Sequence, residues 1–539
     1  MSESTPVRAA VPFSRARWLR LFGIALPIAV ASSLLIGLRP WESPPVTAET
    51  FGAVPSQEPL GSSVESQAEQ DPLAELPLDA IPHPYNVLLI SIDTARRDHF
   101  SCYGYRHPTT PNLDAFASAS GLLYTNCSSV SNWTLPSHAS MLSGLYPRSH
   151  GARFLSFDEA GDAGYGGPRM QMDAEIPPHT KLPSSCLTLP EALHQVGYRT
   201  GAILANHTFL DPRFGLDQGF DLYDSRKAEG DRPYRDAIEI VDEAIGWIRN
   251  GRQTPYFLFL NLMEPHAPYI PPPRFAHRFA EAQADDEMLA GWSWDIYRQT
   301  ERQVMAAGEP LSERVRASFQ AWYDGEIAFA DEQIGRLFEW LREEGRFDET
   351  LIIVTSDHGE SLGEHQLIGH GNAMYDPEVA IPLILKLPHD HRRGEVLEYP
   401  VQQVDLMPTI LEVLELPLNV PLQGVSLLRP TPDRSMIAEE FAHHPMLPIY
   451  WPNLKHAQRM LVRGKLKFIE YFDGQRELFD VGRDPEEINN LADARAQETQ
   501  LLQSALREWM KQTVVFGDHR VAPLDPAALR DLRTLGYVQ

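Results

Sequence analysis

Two short segments of this chain carry residue types that can do chemistry together. Asn132-Trp133-Thr134-Leu135-Pro136-Ser137-His138 offers a hydroxyl at the start of a predicted helix, since Pro136 is tolerated in a first turn. Ser356-Asp357-His358-Gly359-Glu360 places a carboxylate and an imidazole directly after the apolar run Leu351 to Thr355. That run reads as a buried strand, and open α/β sheets bind their ligands at the carboxyl ends of strands. Asp93 ends a second such run, Val87 to Ile92, so Asp93, Asp357 and His358 can converge at one sheet edge. A divalent cation held there, with Thr134 as a further ligand, would lower the pKa of the hydroxyl and make it a nucleophile toward an anionic ester. The start of the helix adds a positive dipole end facing that anion. Taken singly, the segments read equally well as a helix cap and a turn, the cap contributing about 1 kcal/mol.

These residues need elements to position them. Strands are expected at Val87 to Ile92, Arg199 to Leu204, Tyr256 to Leu262, Leu351 to Thr355 and Leu383 to Leu387. Amphipathic stretches at Tyr234 to Arg249 and Ile327 to Arg342 alternate with them near a 3.6-residue period. The alternation predicts an α/β fold: a central, mostly parallel sheet sandwiched by helices, over residues 84–430. Beyond Pro430 the pattern changes. Met460 to Tyr471 reads as a hairpin turning near Arg463-Gly464-Lys465, and Glu498 to Gln512 as a helix, giving a smaller α+β subdomain over 431–539. Phe275 to Ala317, charged and irregularly spaced in Trp, is either a cover for the pocket or a surface insertion.

The N-terminus sets the expected location. Arg8, Arg15, Arg17 and Arg20 make residues 1–20 basic, and the uncharged run Leu21 to Leu38 follows, ended by Arg39. Eighteen residues span roughly 27 Å, enough for a hydrocarbon core. The basic flank stays cytoplasmic, so residues 21–38 are expected to be a single-pass anchor with the catalytic part periplasmic or extracellular. A cleavable signal with Ala29-Val30-Ala31 as its processing site, or a soluble buried helix, are the alternatives, and carbonate extraction of the full chain separates them. Residues 39–83, rich in Pro, Ser and Glu, read as a disordered tether. The formal charge of −26 argues against a nucleic-acid partner. Cys102, Cys127 and Cys186 are too few for a disulfide framework.

A family resemblance runs through the same residues. Asn86 to Thr94 with Arg97-Asp98-His99 and Pro108 to Asp114 resembles the N-terminal strand and loop of sulfatases, in the alkaline-phosphatase-like superfamily. It continues through Gly197 to Thr200, Phe214 to Phe220, Glu264 to Tyr269, Tyr323 to Ile327, Asp357 to His365, Val404 to Thr409, Leu478 to Asp480 and Asp484-Pro485, covering roughly residues 84–539 in order. The resemblance implies that His266 and His370 contact the ester oxygens or protonate the leaving group.

The departures from the family pattern are equally informative. Sulfatases carry Cys or Ser where Thr134 stands and oxidise it to formylglycine, which a Thr cannot form because its Cβ bears a methyl group. The family Arg is His138 here, the Lys expected two residues before His207 is Ala205, and the second Asp of the usual pair is Thr94. Asp357-His358 in place of Asp-Asn favours manganese or zinc, with calcium still admissible. The expectation is a metal-dependent hydrolase of phosphate or sulfate esters without formylglycine. It would use Thr134 as nucleophile, with His138, His266 and His370 facing an anionic substrate that is free, glycan-borne or lipid-linked. A membrane-tethered phosphoethanolamine- or phosphoglycerol-type transferase and a non-catalytic sulfatase-like binding protein are the competing readings.

Overall fold

A computed structural model of the chain describes residues 84–153, 180–230, 232–251, 255–281, 284, 293–417, 420–441 and 457–516. The basic segment, the expected anchor Leu21 to Leu38 and the tether lie outside these. Among the described residues no helix is long and apolar enough to cross a membrane.

The eight strands of the main sheet are β1 (Asn86–Ile92), β2 (Leu122–Tyr124), β4 (Arg199–Leu204), β5 (Leu222–Asp224), β6 (Tyr256–Leu262), β7 (Thr350–Ser356), β10 (Leu383–Lys386) and β11 (Val396–Leu397). The short strands β3 (Cys127–Ser128), β8 (Ser361–Leu362), β9 (Ile368–Gly369) and β12 (Val401–Gln402) pair elsewhere, β3 with β12 and β8 with β9. The spatial order is β11-β2-β10-β7-β1-β6-β4-β5. β7, β1, β6, β4 and β5 run parallel, whereas β10 pairs antiparallel with both β7 and β2. The expected sheet is present, with one antiparallel strand toward its edge.

The central strands are continuous apolar runs because both faces are covered. Leu88, Ile90 and Ile92 of β1 face a core shared with α1 (Pro111–Ala119), α4 (Ala237–Asn250) and α6 (Glu313–Glu343). Val87 and Leu89 face the opposite core, built with α2 (Thr134–Ser143), α3 (Leu189–Gln195) and α7 (Leu406–Val413). The two-residue period of one strand thus feeds two helix layers.

Two helix boundaries differ from expectation. α4 starts at Ala237 rather than Tyr234, because the Asp236 side chain accepts from the Glu239 N–H at 3.0 Å and caps it there. α6 starts at Glu313 rather than Ile327, capped by Ser312. Its first half buries Asp324 and Glu326, which breaks the apolar period that sequence patterning relies on. The Phe275 to Ala317 segment packs inward in part. In α5 (Trp294–Glu301), Tyr297 is buried against Tyr269 and Phe319, and its hydroxyl lies 2.9 Å from where a Cβ on Gly369 would be.

The C-terminal strands β13 (Met436–Glu439), β14 (Gln458–Arg463), β15 (Leu466–Tyr471) and β16 (Arg476–Asp480) form an antiparallel sheet with α8 (Ala496–Gln512) against it. Gly464 takes φ +58°, as a two-residue hairpin loop requires at its first position. Met374 and Val379 share a core with Met460, Ile469 and Phe479, so this sheet buttresses the loop that follows His370. All three cysteines are free.

Candidate active site

The four adjacent parallel strands β7, β1, β6 and β4 end at one edge, and each is followed by polar residues. β1 leads into Asp93, β7 into Asp357 and His358, β6 into Glu264 and His266, and β4 into Asn206 and His207. The register sets Ile92 beside both Ser356 and Leu262, which brings Asp93 and Asp357 together across 264 residues of chain.

Asp93, Asp357 and His358 are buried and present ligand atoms within 4.8 Å of one another. Asp93 Oδ2 accepts from Asn206 Nδ2 at 3.0 Å and Asn261 Nδ2 at 3.4 Å. Asp357 Oδ1 accepts from the backbone N–H groups of Thr94 at 3.1 Å and His358 at 2.9 Å. The other oxygens, Asp93 Oδ1 and Asp357 Oδ2, are buried and accept no hydrogen bond. Among the described residues no Lys or Arg forms an ion pair with either carboxylate. Burial raises the pKa of Asp93, and burial together with the Asp93 charge pushes Asp357 well above the usual carboxylate range. Two such groups side by side are costly unless a cation lies between them.

His358 completes the set. Its Nδ1 donates to the Gly359 carbonyl at 2.9 Å, so Nε2 carries the lone pair. That Nε2 sits 3.3 Å from Asp357 Oδ2 and 3.4 Å from Thr134 Oγ1. Burial holds the ring well below its ordinary pKa, in the neutral form a metal ligand needs. The orphaned carboxylate oxygens and this oriented imidazole fit a divalent ion, with Asp93, Asp357, His358 and Thr134 as the side chains that would hold it.

Thr134 is the first residue of α2, after an N-cap at Trp133 whose side chain makes no capping bond. Its Oγ1 is directed at His358 rather than at the helix N–H groups, so the cap reading of Thr134 does not hold. His138, one turn on, donates from Nδ1 to the Thr134 carbonyl at 2.9 Å and accepts at Nε2 from Ser91 Oγ at 3.1 Å. Burial lowers its pKa to about 4, so it is neutral. Both nitrogens are engaged inside the protein, whereas the motif predicts His138 facing the substrate. Thr94 takes φ +56°, a strained value for a β-branched residue that costs on the order of 1–3 kcal/mol. The strain aims its N–H at Asp357 and its carbonyl at the Tyr323 hydroxyl, 2.6 Å away.

His266 and His370 lie together beside this group. Their ring centroids are 4.9 Å apart, and His370 is 4.5 Å from the His358 ring. His266 donates from Nδ1 to the Ala267 carbonyl, and burial lowers its pKa. For His370 burial acts in the same direction, but Glu360, with Oε1 3.7 Å from Nδ1, outweighs it and raises the pKa. The edge therefore gathers a buried hydroxyl, two carboxylates that pair with no Lys or Arg among the described residues, a neutral His266 imidazole and a His370 imidazole biased toward the charged form.

Three supporting residues escape a reading of the sequence. Asn261 interrupts the apolar run of β6 and Asn206 follows β4, signals that were available but are weak singly. Gln403 gives no local signal, yet its Nε2 donates to the carbonyls of Ser356 at 2.9 Å and Asp357 at 2.6 Å while its Oε1 accepts from Val130 N at 3.1 Å. Groups that orient a ligand commonly change metal affinity by 10–100-fold. Asn206→Ala is expected to weaken divalent-ion binding by about tenfold to hundredfold. Titration calorimetry on metal-stripped protein measures this, and unchanged affinity would rule out that role.

Comparison with known proteins agrees with this fold. The sulfatase family profile matches residues 85–416, and the profile described as N-sulphoglucosamine sulphohydrolase, C-terminal, matches residues 363–515. An arylsulfatase of Clostridium perfringens is 23% identical, over 75% of this chain and 90% of the relative. A solved structure bound to its substrate D-glucosamine-2-N,6-O-disulfate superposes with a TM-score of 0.60 at 21% identity, covering 80% of this chain and 98% of that one. The phosphonate monoester hydrolase of Agrobacterium radiobacter gives 0.59 at 21%, covering 79% and 95%. With the family profile matched across residues 85–416, a span that includes every one of these side chains, the chain belongs to the sulfatase family.

Proposed function

We propose that the chain is a metal-dependent hydrolase of monoanionic esters, with Thr134 as nucleophile and phosphodiester or phosphonate monoester bonds favoured over sulfate. The observation that carries this reading is Thr134 Oγ1, 3.4 Å from His358 Nε2 beside two buried carboxylates with no ion-pairing Lys or Arg among the described residues. A divalent cation held by Asp93, Asp357, His358 and Thr134, with manganese or zinc favoured over calcium by the imidazole, would supply Lewis-acid stabilisation and would lower the pKa of the hydroxyl. Asp93 and Asp357 together balance its charge. A deprotonated Thr134 then leaves the site net negative, which disfavours a dianionic monoester relative to a monoanion.

The side chains divide the work. Thr134 Oγ1 forms a bond to phosphorus or sulfur as the bond to the leaving oxygen breaks. His370, held toward its charged form by Glu360, gives its proton to that oxygen. His370 then accepts a proton from the water that hydrolyses the phospho- or sulfo-threonine, which regenerates the charged imidazole and releases Thr134 as the alkoxide that began the cycle. His266 orients the ester oxygens, and His138 fixes the helix start from within.

A sulfated glycan is the second reading. It is favoured by the arylsulfatase and by the relative bound to a glucosamine disulfate. The test is turnover of aryl phosphodiester, phosphonate monoester, phosphomonoester and arylsulfate by the full chain with manganese, zinc or calcium. The diester and phosphonate are expected to give the highest kcat/KM. Turnover of arylsulfate alone would move the assignment to sulfate, and turnover of none would end it.

A further inference from the structure

Beyond the reacting groups, one buried carboxylate joins the two halves of the site. Glu378 lies in the turn before β10, fully buried. Its Oε2 accepts from the Asn372 N–H at 2.9 Å, the Ala373 N–H at 3.1 Å and Asn132 Nδ2 at 3.2 Å. Its Oε1 accepts from Ser361 Oγ at 2.8 Å. Three segments therefore meet on one side chain: the loop directly after His370, the stretch two residues before Thr134, and β8 directly after Glu360. Two further bonds close the same junction. Asn132 Nδ2 donates to the Ala373 carbonyl at 2.9 Å, and Gly371 N donates to the Asn132 carbonyl at 3.0 Å.

We infer that Glu378 is the positioning residue that fixes His370 against Thr134. The inference rests on the reading of Thr134 as nucleophile and His370 as proton donor. Glu378 reaches them through their neighbours: the backbone N–H groups two and three residues after His370, and the side-chain amide of Asn132 two residues before Thr134. The turn of Glu378 is itself held by the other sheet. Lys467 Nζ of β15 reaches Asp376 Oδ1 at 2.8 Å and Glu487 Oε1 at 2.7 Å, and Gln458 Nε2 donates to the Asn372 carbonyl at 2.8 Å. The C-terminal sheet thereby sets where His370 stands. A displacement of about 1 Å between reacting groups can cost on the order of a hundredfold in rate.

Glu378→Gln keeps an acceptor for the three N–H groups and turns its amide toward Ser361 Oγ, which can accept. Glu378→Asp keeps the charge but loses one methylene of reach. With bis(4-nitrophenyl) phosphate as probe, Glu378→Gln should stay within about threefold of wild type. Glu378→Asp should lower kcat tenfold or more, with KM within twofold and metal content unchanged. In a His370→Asn background the same Asp substitution should cost less than twofold, because the group it positions is gone. The imidazole resonance of His370, assigned with His370→Asn, should shift in Glu378→Asp and hold in Glu378→Gln. Equal losses in both backgrounds, or an unmoved His370 resonance, would overturn the inference. If the wild type turns over no ester, the functional reading fails, and the resonance still decides the positioning.

Discussion

Thr134→Ala is expected to lower turnover by more than about a thousandfold, the scale on which nucleophile removal acts in other covalent hydrolases. The variant should still fold, because the Thr134 side chain does not cap α2 and the helix is anchored by Leu135, Ala139 and Leu142 in the core. Asp93, Asp357 and His358 remain, so most of the metal affinity should remain. Thr134→Ser restores the oxygen and should recover a measurable part of the rate. Mass spectrometry of protein quenched during turnover should find a phosphoryl or sulfuryl group on the Thr134 peptide. Wild-type rates in the alanine variant would exclude Thr134 as nucleophile. Cys127→Ser should change turnover little, since that thiol is buried in β3 among apolar core residues.

For Asp357→Ala the expected effects on the metal-loaded and metal-free protein have opposite signs. With metal present, wild type gains stability by mass action, about 2.7 kcal/mol at a hundredfold excess over Kd. The variant loses a ligand oxygen and should show neither that gain nor turnover. Without metal, wild type holds two buried carboxylates whose pKa values are pushed up by burial, and Asp357 also by the charge of Asp93. Removing Asp357 relieves that repulsion, so the stripped variant should melt no lower than stripped wild type. Melting curves with and without manganese give both comparisons. A variant whose Tm still climbs with manganese would place the ion elsewhere.

The parts of the site legible in the sequence are those that follow buried strands. β1, β6 and β7 are covered on both faces, so each reads as a mainly apolar run, and the polar residues that follow β1 and β7 stand out. Asp93, Asp357 and His358 emerge in this way. Residues whose partners lie far away do not. Glu378 and Gln403 resemble any polar residue until the fold brings three segments to one and two to the other. The start of α6 was hidden for a related reason. Asp324 and Glu326 are polar yet buried, Asp324 being paired with His99 at 2.7 Å and His107 at 2.9 Å, while Glu326 accepts from Ile270 N at 2.6 Å. Such pairings erase the periodicity by which a helix is read. His138 misled for the opposite reason: the motif places it beside the nucleophile, and only the geometry turns both nitrogens inward.

The pairing of β1 with β7 has a temporal consequence. Thr94 and Asp357, joined by a hydrogen bond, stand 263 residues apart in the chain. At synthesis rates of roughly 5–20 residues per second, about 13–50 s separate their appearance. No cation site exists in that interval, because one carboxylate has no partner, and an unfolded chain holds the metal weakly at best. On the proposed reading, the enzyme acquires its ion from whichever compartment sees the sheet close, and the metal available there decides which chemistry it performs.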